Sequence, residues 1–190
     1  MVPVEFSDLR RQQFRRFFQP SRIVIGVFHD DSRERLNPIT LCFDMYCSYK
    51  PTMMAFAIHR RAYSYSLLES ATECVLSVPG EQLAEQAMYC GTRSATTVHK
   101  FEKCGFTPAR SKRVSVPGIA EAIANVELRI VNKQHTGDHL TAFGQVLRFG
   151  VNERSAECCL LSVGPNTAGY RVLARQGIHR IAVIGDSAPD

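Results

Sequence analysis

The chain has 190 residues, 45% of them hydrophobic and 22% charged, and 23 Lys and Arg against 18 Asp and Glu leave a net charge of +5. That length suits one domain burying roughly 70% of the surface its unfolded chain exposes, so neither a disulfide nor a metal is needed as a staple. No apolar run approaches the roughly 18 residues of a membrane span, and the segment Met1 to Asp8 has neither the apolar core of a signal peptide nor the acid-poor composition of a transit peptide. A single cytoplasmic domain over residues 1–190 is therefore expected.

Along the chain, Arg10, Arg11, Arg15 and Arg16 interleave with Leu9, Phe14, Phe17 and Phe18 at an approximate helical period. This predicts a basic amphipathic helix over about residues 5–18, packed on the domain or on a partner subunit with its charged face in water. No nucleic-acid motif accompanies the charge, so no nucleic-acid partner is expected. Arg22 to Phe28 reads as a buried strand, and the polar cluster His29 to Ser32 before Leu36 reads as a hairpin turn. Thr40 to Phe43 and Met53 to Ile58 are further short apolar runs, separated by a turn that holds Ser48 and Pro51; proline cannot donate to a ladder and belongs at a strand's start.

Ser64 is placed to cap a short helix, or Ser66 and Glu69 to form a capping box; either choice leaves helix-start amides facing outward. Cys74 to Val78 reads as a strand ended by Pro79-Gly80, and Leu83, Ala84, Ala87 and Met88 give a helical period through Glu81 to Tyr89. A polar loop over 90–97 leads to a helical turn at Val98 to Lys103. Val126 to Val131 alternates as a half-exposed antiparallel strand. Gly137-Asp138 supplies a turn to a long partner, Leu140 to Asn152, in which Gly144 and Gly150 are expected bulge or bend points. Such a long bent strand fits a barrel, and residues from about 153 to 190 read as a C-terminal arm.

Seven cysteines without Cys-x-x-Cys spacing read as reduced thiols. His135 and His139 flank Gly137 in a β-rich segment rather than sharing a helix face, so no metal site is expected.

The ordered set Pro20 with Ile23 to Phe28, Asn37-Pro38-Ile39-Thr40, Ser48-Tyr49-Lys50-Pro51, Arg61-Ala62-Tyr63-Ser64, Lys100-Phe101, Gly137-Asp138-His139 and Gly144-Gln145-Val146 resembles the flavin reductase-like family with the FMN-binding split-barrel fold, nearest its flavoredoxin branch. The likeness covers about Phe18 to Tyr170, and it rests on order and spacing, since no single motif is specific. It implies a mainly β architecture, a six-stranded antiparallel barrel with short helices, forming a homodimer with FMN near the subunit interface.

The resemblance also implies a site. It lays the isoalloxazine ring along Thr40, Leu41 and Cys42, in a segment opened by Asn37 and followed by the turn that carries Ser48; the alternative for Asn37 is a turn residue. A phosphate asks for positive charge and for hydroxyl or amide donors, which Arg60, Arg61 and Ser64 offer at a helix start and Arg93, Ser94 and Lys100 offer further on. For each arginine the alternative is a solvated surface cation. Lys100 matches the family's Lys-Phe position and ranks above Arg93. In the family the Gly-Asp-His segment approaches the flavin face where a nicotinamide would stack, so His139 would position the hydride donor or hydrogen-bond the flavin, with Asp138 fixing its orientation; the alternative is a hairpin turn carrying a surface imidazole. Cys42 would be either a thiol that is redox-active beside the flavin or, the favoured reading, a small buried thiol.

The chain departs from the family in having Pro51-Thr52 where many members carry Pro-Pro, in having no tryptophan, and in a looser 92–97 loop. Ring stacking would then fall to Phe43, Tyr46 or Tyr49. The implied function is an FMN-dependent oxidoreductase in which NAD(P)H delivers hydride to flavin and electrons pass to an acceptor protein or a partner monooxygenase. Without a Rossmann glycine fingerprint, NAD(P)H would bind beside the flavin in a shallow cleft. Two alternatives stand beside it: a flavoredoxin-type FMN electron carrier without NAD(P)H turnover, and a non-catalytic split-barrel module that holds flavin or haem.

Overall fold

The computed structural model describes Phe18, residues 20–152 and 159–165, and two further strands at 170–173 and 181–186. The helix expected over about 5–18 lies, Phe18 apart, outside the described residues. In chain order the strands are β1 (Ser21–Arg22), β2 (Val24–Asp30), β3 (Arg35–Leu41), β4 (Asp44–Tyr49), β5 (Thr52–His59), β6 (Glu73–Val78), β7 (Pro108–Ala109), β8 (Gly118–Ile119), β9 (Ala124–Thr136), β10 (His139–Val151), β11 (Leu160–Pro165), β12 (Tyr170–Leu173) and β13 (Ile181–Asp186). The α-helices are α1 (Tyr63–Ser70), α2 (Ala84–Thr92) and α3 (Lys100–Lys103).

Seven strands form one antiparallel sheet in the order β3-β2-β6-β9-β10-β5-β4. Its first and last members, β3 and β4, are consecutive in the chain and joined only by Cys42 and Phe43. Six strand spacings laid flat would separate those edges by roughly 29 Å, whereas a two-residue link reaches about 10 Å. The sheet must therefore curl until its edges meet, and a hydrogen bond from the Ala57 amide to the Phe43 carbonyl at 2.9 Å holds the junction beside β5. The resemblance implies six strands; the seventh arises because the run from Arg35 to Tyr49 breaks at Cys42–Phe43 and serves both edges.

The apolar run of β2 is continuous because both of its faces are covered. Val24 and Phe28 point into the curl with Phe56, Ile58, Leu76, Leu128 and Leu140, while Ile23, Ile25 and Val27 point outward to Leu83, Ala84, Ala87 and Cys90 on and before α2. Period-2 alternation thus sends successive side chains of one strand to two cores. The long pair β9 and β10 shifts register at Phe143/Gly144, where a Cβ on Gly144 would sit 3.1 Å from the Leu128 side chain. The ladder through Gly150 is continuous.

The arm expected from residue 153 contains part of a second sheet, β1-β11-β13-β12, in which β11 runs antiparallel to β1 and parallel to β13. At α1 the N-cap is Ala62, not Ser64, and among the described residues no side chain caps the helix. The Ser66 hydroxyl turns back to the Tyr63 carbonyl at 2.9 Å instead of joining a capping box with Glu69. The reason lies two residues on from the cap, where Ser64 is drawn inward by a buried partner described next.

Candidate functional site

Two features meet where β5 runs into α1. The first is a cluster made by strand register. Gly137, with φ +62°, takes the left-handed conformation that a two-residue hairpin loop requires, so Asp138 projects from a tight turn and His139 starts β10. The β5–β10 ladder then sets His139 directly opposite His59. The two imidazoles lie 5.0 Å apart at 85°, and the Phe43 ring lies 5.1 Å from His139.

Asp138 sits between the histidines. Its Oδ1 is 2.6 Å from His139 Nδ1 and its Oδ2 is 3.3 Å from His59 Nε2. The Arg61 amide donates to His59 Nδ1 at 3.0 Å, and the Arg60 amide donates to the Asp138 carbonyl at 2.9 Å. An Nδ1 that accepts an amide proton fixes neutral His59 as the Nε2–H tautomer, with that proton facing Asp138. His139 directs its Nδ1 to the same carboxylate, which leaves Nε2 as the nitrogen not engaged with Asp138. With side-chain exposures of 33% for His59, 36% for Asp138 and 20% for His139, the cluster is half-open to solvent.

The second feature is buried. Asn37, fully inside on β3, donates from Nδ2 to Ser64 Oγ at 2.7 Å, and Ser64 is itself buried in the first turn of α1. Asn37 Oδ1 is buried and has no hydrogen-bond partner among the described residues. An amide end left open in this way costs about 1–3 kcal/mol unless something fills the position. Arg60 and Arg61, whose exposed side chains form no ion pair among the described residues, immediately precede the α1 turn that holds Ser64.

A third group ties the far wall together. Asp30, fully buried, accepts from Ser32 Oγ at 2.8 Å, from Tyr63 Oη at 2.9 Å and from Arg35 Nε at 3.3 Å. Burial alone would raise its carboxyl, but these three donors and the Arg35 charge outweigh it and hold the group below the usual carboxylate range. Arg33 lies 5.0 Å over the Tyr63 ring and donates to the Ala95 and Thr96 carbonyls at 3.1 and 3.0 Å; Arg35 also donates to the Ala95 carbonyl. The arginines thus fasten the 94–97 loop to the start of α1.

The residues singled out from the sequence divide accordingly. Asp138, His139, Arg60, Arg61, Ser64 and Asn37 gather around the β5–α1 junction. Ser94 lies on the fastened loop, exposed, with its hydroxyl 2.8 Å from that of Thr96. Thr40 turns away and donates to the Ala87 carbonyl of α2 at 2.6 Å. Leu41 is in the inner core and Cys42 packs against the outer one. Lys100 is buried, its ammonium donating to the Cys90 carbonyl at 3.1 Å. Ser48 does not join the group: it pairs with Met53 at the far end of β5, six residues or about 20 Å from His59. Sequence reasoning passed over His59, Arg33 and Arg35; a histidine ending a strand just before Arg-Arg was the available signal, but its importance comes from register.

Among the described residues no group of three His, Cys, Asp or Glu could hold a metal ion, and no helix is long and apolar enough to cross a membrane. Comparison with known proteins matches residues 14–174 to the flavin reductase like domain. An uncharacterised protein of Archaeoglobus fulgidus is 35% identical over 125 residues, covering 66% of this chain and 67% of that one. Among solved structures, flavoredoxin of Desulfovibrio vulgaris superposes with a TM-score of 0.67 at 20% identity, covering 80% of this chain and 78% of its own. An FMN-binding protein from Thermus thermophilus gives 0.70 at 19% identity, covering 81% and 82%. The Streptomyces globisporus NADH:FAD oxidoreductase gives 0.69 at 19% identity, covering 81% and 89%.

Proposed function

Because the chain belongs to the flavin reductase-like family, we propose that it is a cytoplasmic FMN-binding oxidoreductase that takes reducing equivalents from NAD(P)H and passes them to an acceptor protein or a partner monooxygenase. The observation that carries this reading is the β5–α1 junction, where, among the described residues, a buried amide oxygen without a partner, two guanidiniums without an ion pair, a helix start without a side-chain cap and a half-open histidine pair lie close along the chain and the β5–β10 ladder.

In this reading Arg60, Arg61 and the first amides of α1 hold the phosphate, and Ser94 on the fastened loop faces it from the other side. Asn37 supplies the open end of its amide to a polar edge of the cofactor, positioned by Ser64. When bound, FMN would supply the hydride and single-electron chemistry that no side chain here provides. Phe43 forms an apolar wall beside His139. His139, oriented through Asp138, offers Nε2, the nitrogen not engaged with that carboxylate, to hydrogen-bond the hydride donor or carry a proton. Lys100, already committed to the Cys90 carbonyl, supports the wall instead of reaching the phosphate.

The reading includes a homodimer. Phe43, Met45, Tyr46 and Tyr49 stand 48–82% exposed along the β3–β4 junction and β4, an apolar stretch that a second copy would cover. Light scattering should give twice the chain mass at micromolar concentration.

The deciding experiment adds FMN, removes the excess by desalting and records the visible spectrum. It then mixes the yellow protein with NADH or NADPH under nitrogen. Retained flavin absorption that bleaches on mixing is the expected result. Retained flavin that stays oxidised with both nucleotides would replace the reductase with an electron carrier, and no retained flavin would remove the resident-cofactor reading.

A further inference from the structure

Outside the candidate site the structure brings together two cysteines that the sequence leaves unrelated. Cys90, on the last turn of α2, is fully buried, and Cys104, immediately after α3, is half-buried. Their sulfurs lie 3.7 Å apart although the residues are 14 positions apart. Lys100 is one helical turn before Cys104 and joined to it by a backbone hydrogen bond of 3.0 Å from the Cys104 amide. Its ammonium, 3% exposed as a residue and bonded to the Cys90 carbonyl at 3.1 Å, places a positive charge beside both sulfurs.

A buried ammonium whose one hydrogen-bond acceptor among the described residues is a neutral carbonyl leaves its charge without a formal counterion. A thiolate on either cysteine would supply one. The two sulfurs differ in which is suited to that role. Hydrogen bonding from Cys90 holds the Cys104 thiol below its ordinary range against the effect of burial, whereas the same bond and deeper burial push Cys90 well up. Cys104 is the sulfur that solvent and a small reagent reach, and fully buried Cys90 lies directly behind it.

We propose that Cys90 and Cys104 form a reversible thiol–disulfide exchange site that is oxidised by low-molecular-weight disulfides, with Cys104 as the attacking sulfur and Cys90 as the resolving one. In the first step the Cys104 thiolate attacks one sulfur of the small disulfide; a Cys104–S–S–R bond forms, the R–S–S–R bond breaks, and one R–S⁻ leaves. In the second step Cys90 attacks Cys104 Sγ; the Cys90–Cys104 bond forms, the mixed disulfide breaks, and the Cys90 proton leaves with the second thiol. Two protein thiols are oxidised and one small disulfide is reduced to two thiols, so electrons and atoms balance. Lys100 assists as a positioning residue by stabilising the Cys104 thiolate. The product disulfide closes a loop that contains Ser94 and Lys100 and ties α2 to α3, so oxidation would fix the segment that Arg33 and Arg35 already fasten at its middle.

The test incubates the intact wild-type protein with excess oxidised glutathione, quenches with an alkylating agent and maps the peptides by mass spectrometry. The expected product is a Cys90–Cys104 cross-link, two hydrogens lighter than the reduced pair and reversed by dithiothreitol. Cys90→Ser should stop at one glutathione on Cys104, and Cys104→Ser should leave Cys90 unmodified. Exposed Cys47 serves as an internal control for reagent activity. Glutathione on Cys47 with Cys90 and Cys104 both alkylatable after denaturation would overturn the proposal, as would a cross-link from either cysteine to a different one.

Discussion

Two hairpin turns of this barrel each carry an aspartate held by several donors, and they have opposite characters. Asp30, where β2 turns toward β3, is sealed: it is fully buried, and Ser32, Tyr63 and Arg35 occupy its oxygens. Asp138, where β9 turns into β10, is open: it is about one-third exposed, and two of its partners are half-open imidazoles. A saturated buried carboxylate fixes geometry because any change at it costs desolvation energy. A half-exposed one between histidines orients both rings and leaves His139 Nε2 unengaged with it. The first turn is therefore read as the anchor and the second as the working edge.

Breaking the anchor should give the largest effect. Asp30→Ala leaves Arg35, whose side chain is 9% exposed, without its counterion and unfastens the hydroxyl of Tyr63. The expected loss is about 3–5 kcal/mol, the range for removing one partner of a buried pair, read from the urea midpoint. A loss below about 1 kcal/mol would mean that water replaces the carboxylate and that the turn is not sealed.

The working edge should respond in turnover instead. His139→Ala is expected to lower NAD(P)H-driven flavin reduction roughly 10²-fold while leaving the urea midpoint and FMN retention close to those of the parent, the size of a lost positioned acid or base. His59→Ala removes the second donor to Asp138 but not His139 Nε2, so its effect should be smaller. Equal losses in both would show that the pair acts as one unit and that His59 does more than hold Asp138.

The phosphate side of the edge comes next. Arg60→Ala and Arg61→Ala each remove a guanidinium that has no ion-pair partner among the described residues, so little stability should be lost. If either holds the phosphate, the FMN dissociation constant should rise about tenfold or more, as expected for one charge-assisted hydrogen bond. Unchanged binding in both variants would return them to the class of solvated surface cations and leave the α1 amides and Ser94 as the phosphate's donors.

The contrast between the turns also explains what could be read from the sequence. The strands β2, β5 and β6 were legible because their apolar runs are set by burial, a property of each residue alone. The Gly137-Asp138 turn was legible because a left-handed residue there favours glycine. The partner of Asp138 was not: His59 lies opposite His139 only through the β5–β10 register, which no local pattern encodes. Ser48 shows that proximity in a motif order carries no distance, since the length of β5 separates it from His59. Thr40, read as the start of a run to Phe43, lies near the end of β3 with its hydroxyl taken by α2, and the pairing of Cys90 with Cys104 depends on how α2 and α3 pack.

A third aspartate sharpens the comparison at its smallest scale. Asp44 begins β4 with a side chain only 1% exposed, one oxygen unpartnered among the described residues and the other 3.2 Å from Arg22, whose own side chain is 59% exposed. Burial pushes its carboxyl up from 3.8, and the solvent-screened Arg22 only partly opposes this. The folded protein therefore holds that proton more tightly than the unfolded chain, so Asp44's contribution falls as pH rises from 3.8 through the raised value and stays lost above it. Asp30 has the opposite sign, with a depressed carboxyl whose contribution is complete above the ordinary value of 3.8 and is lost as pH falls through the folded value. Asp44→Asn keeps the shape and removes the buried charge. It should leave acid stability unchanged and raise stability at neutral pH, because the pair it loses with exposed Arg22 contributes only about 0–1 kcal/mol. Urea titrations at the two pH values decide the point: a variant less stable at neutral pH would show that the Arg22 pair outweighs the burial of Asp44, making this aspartate a second anchor.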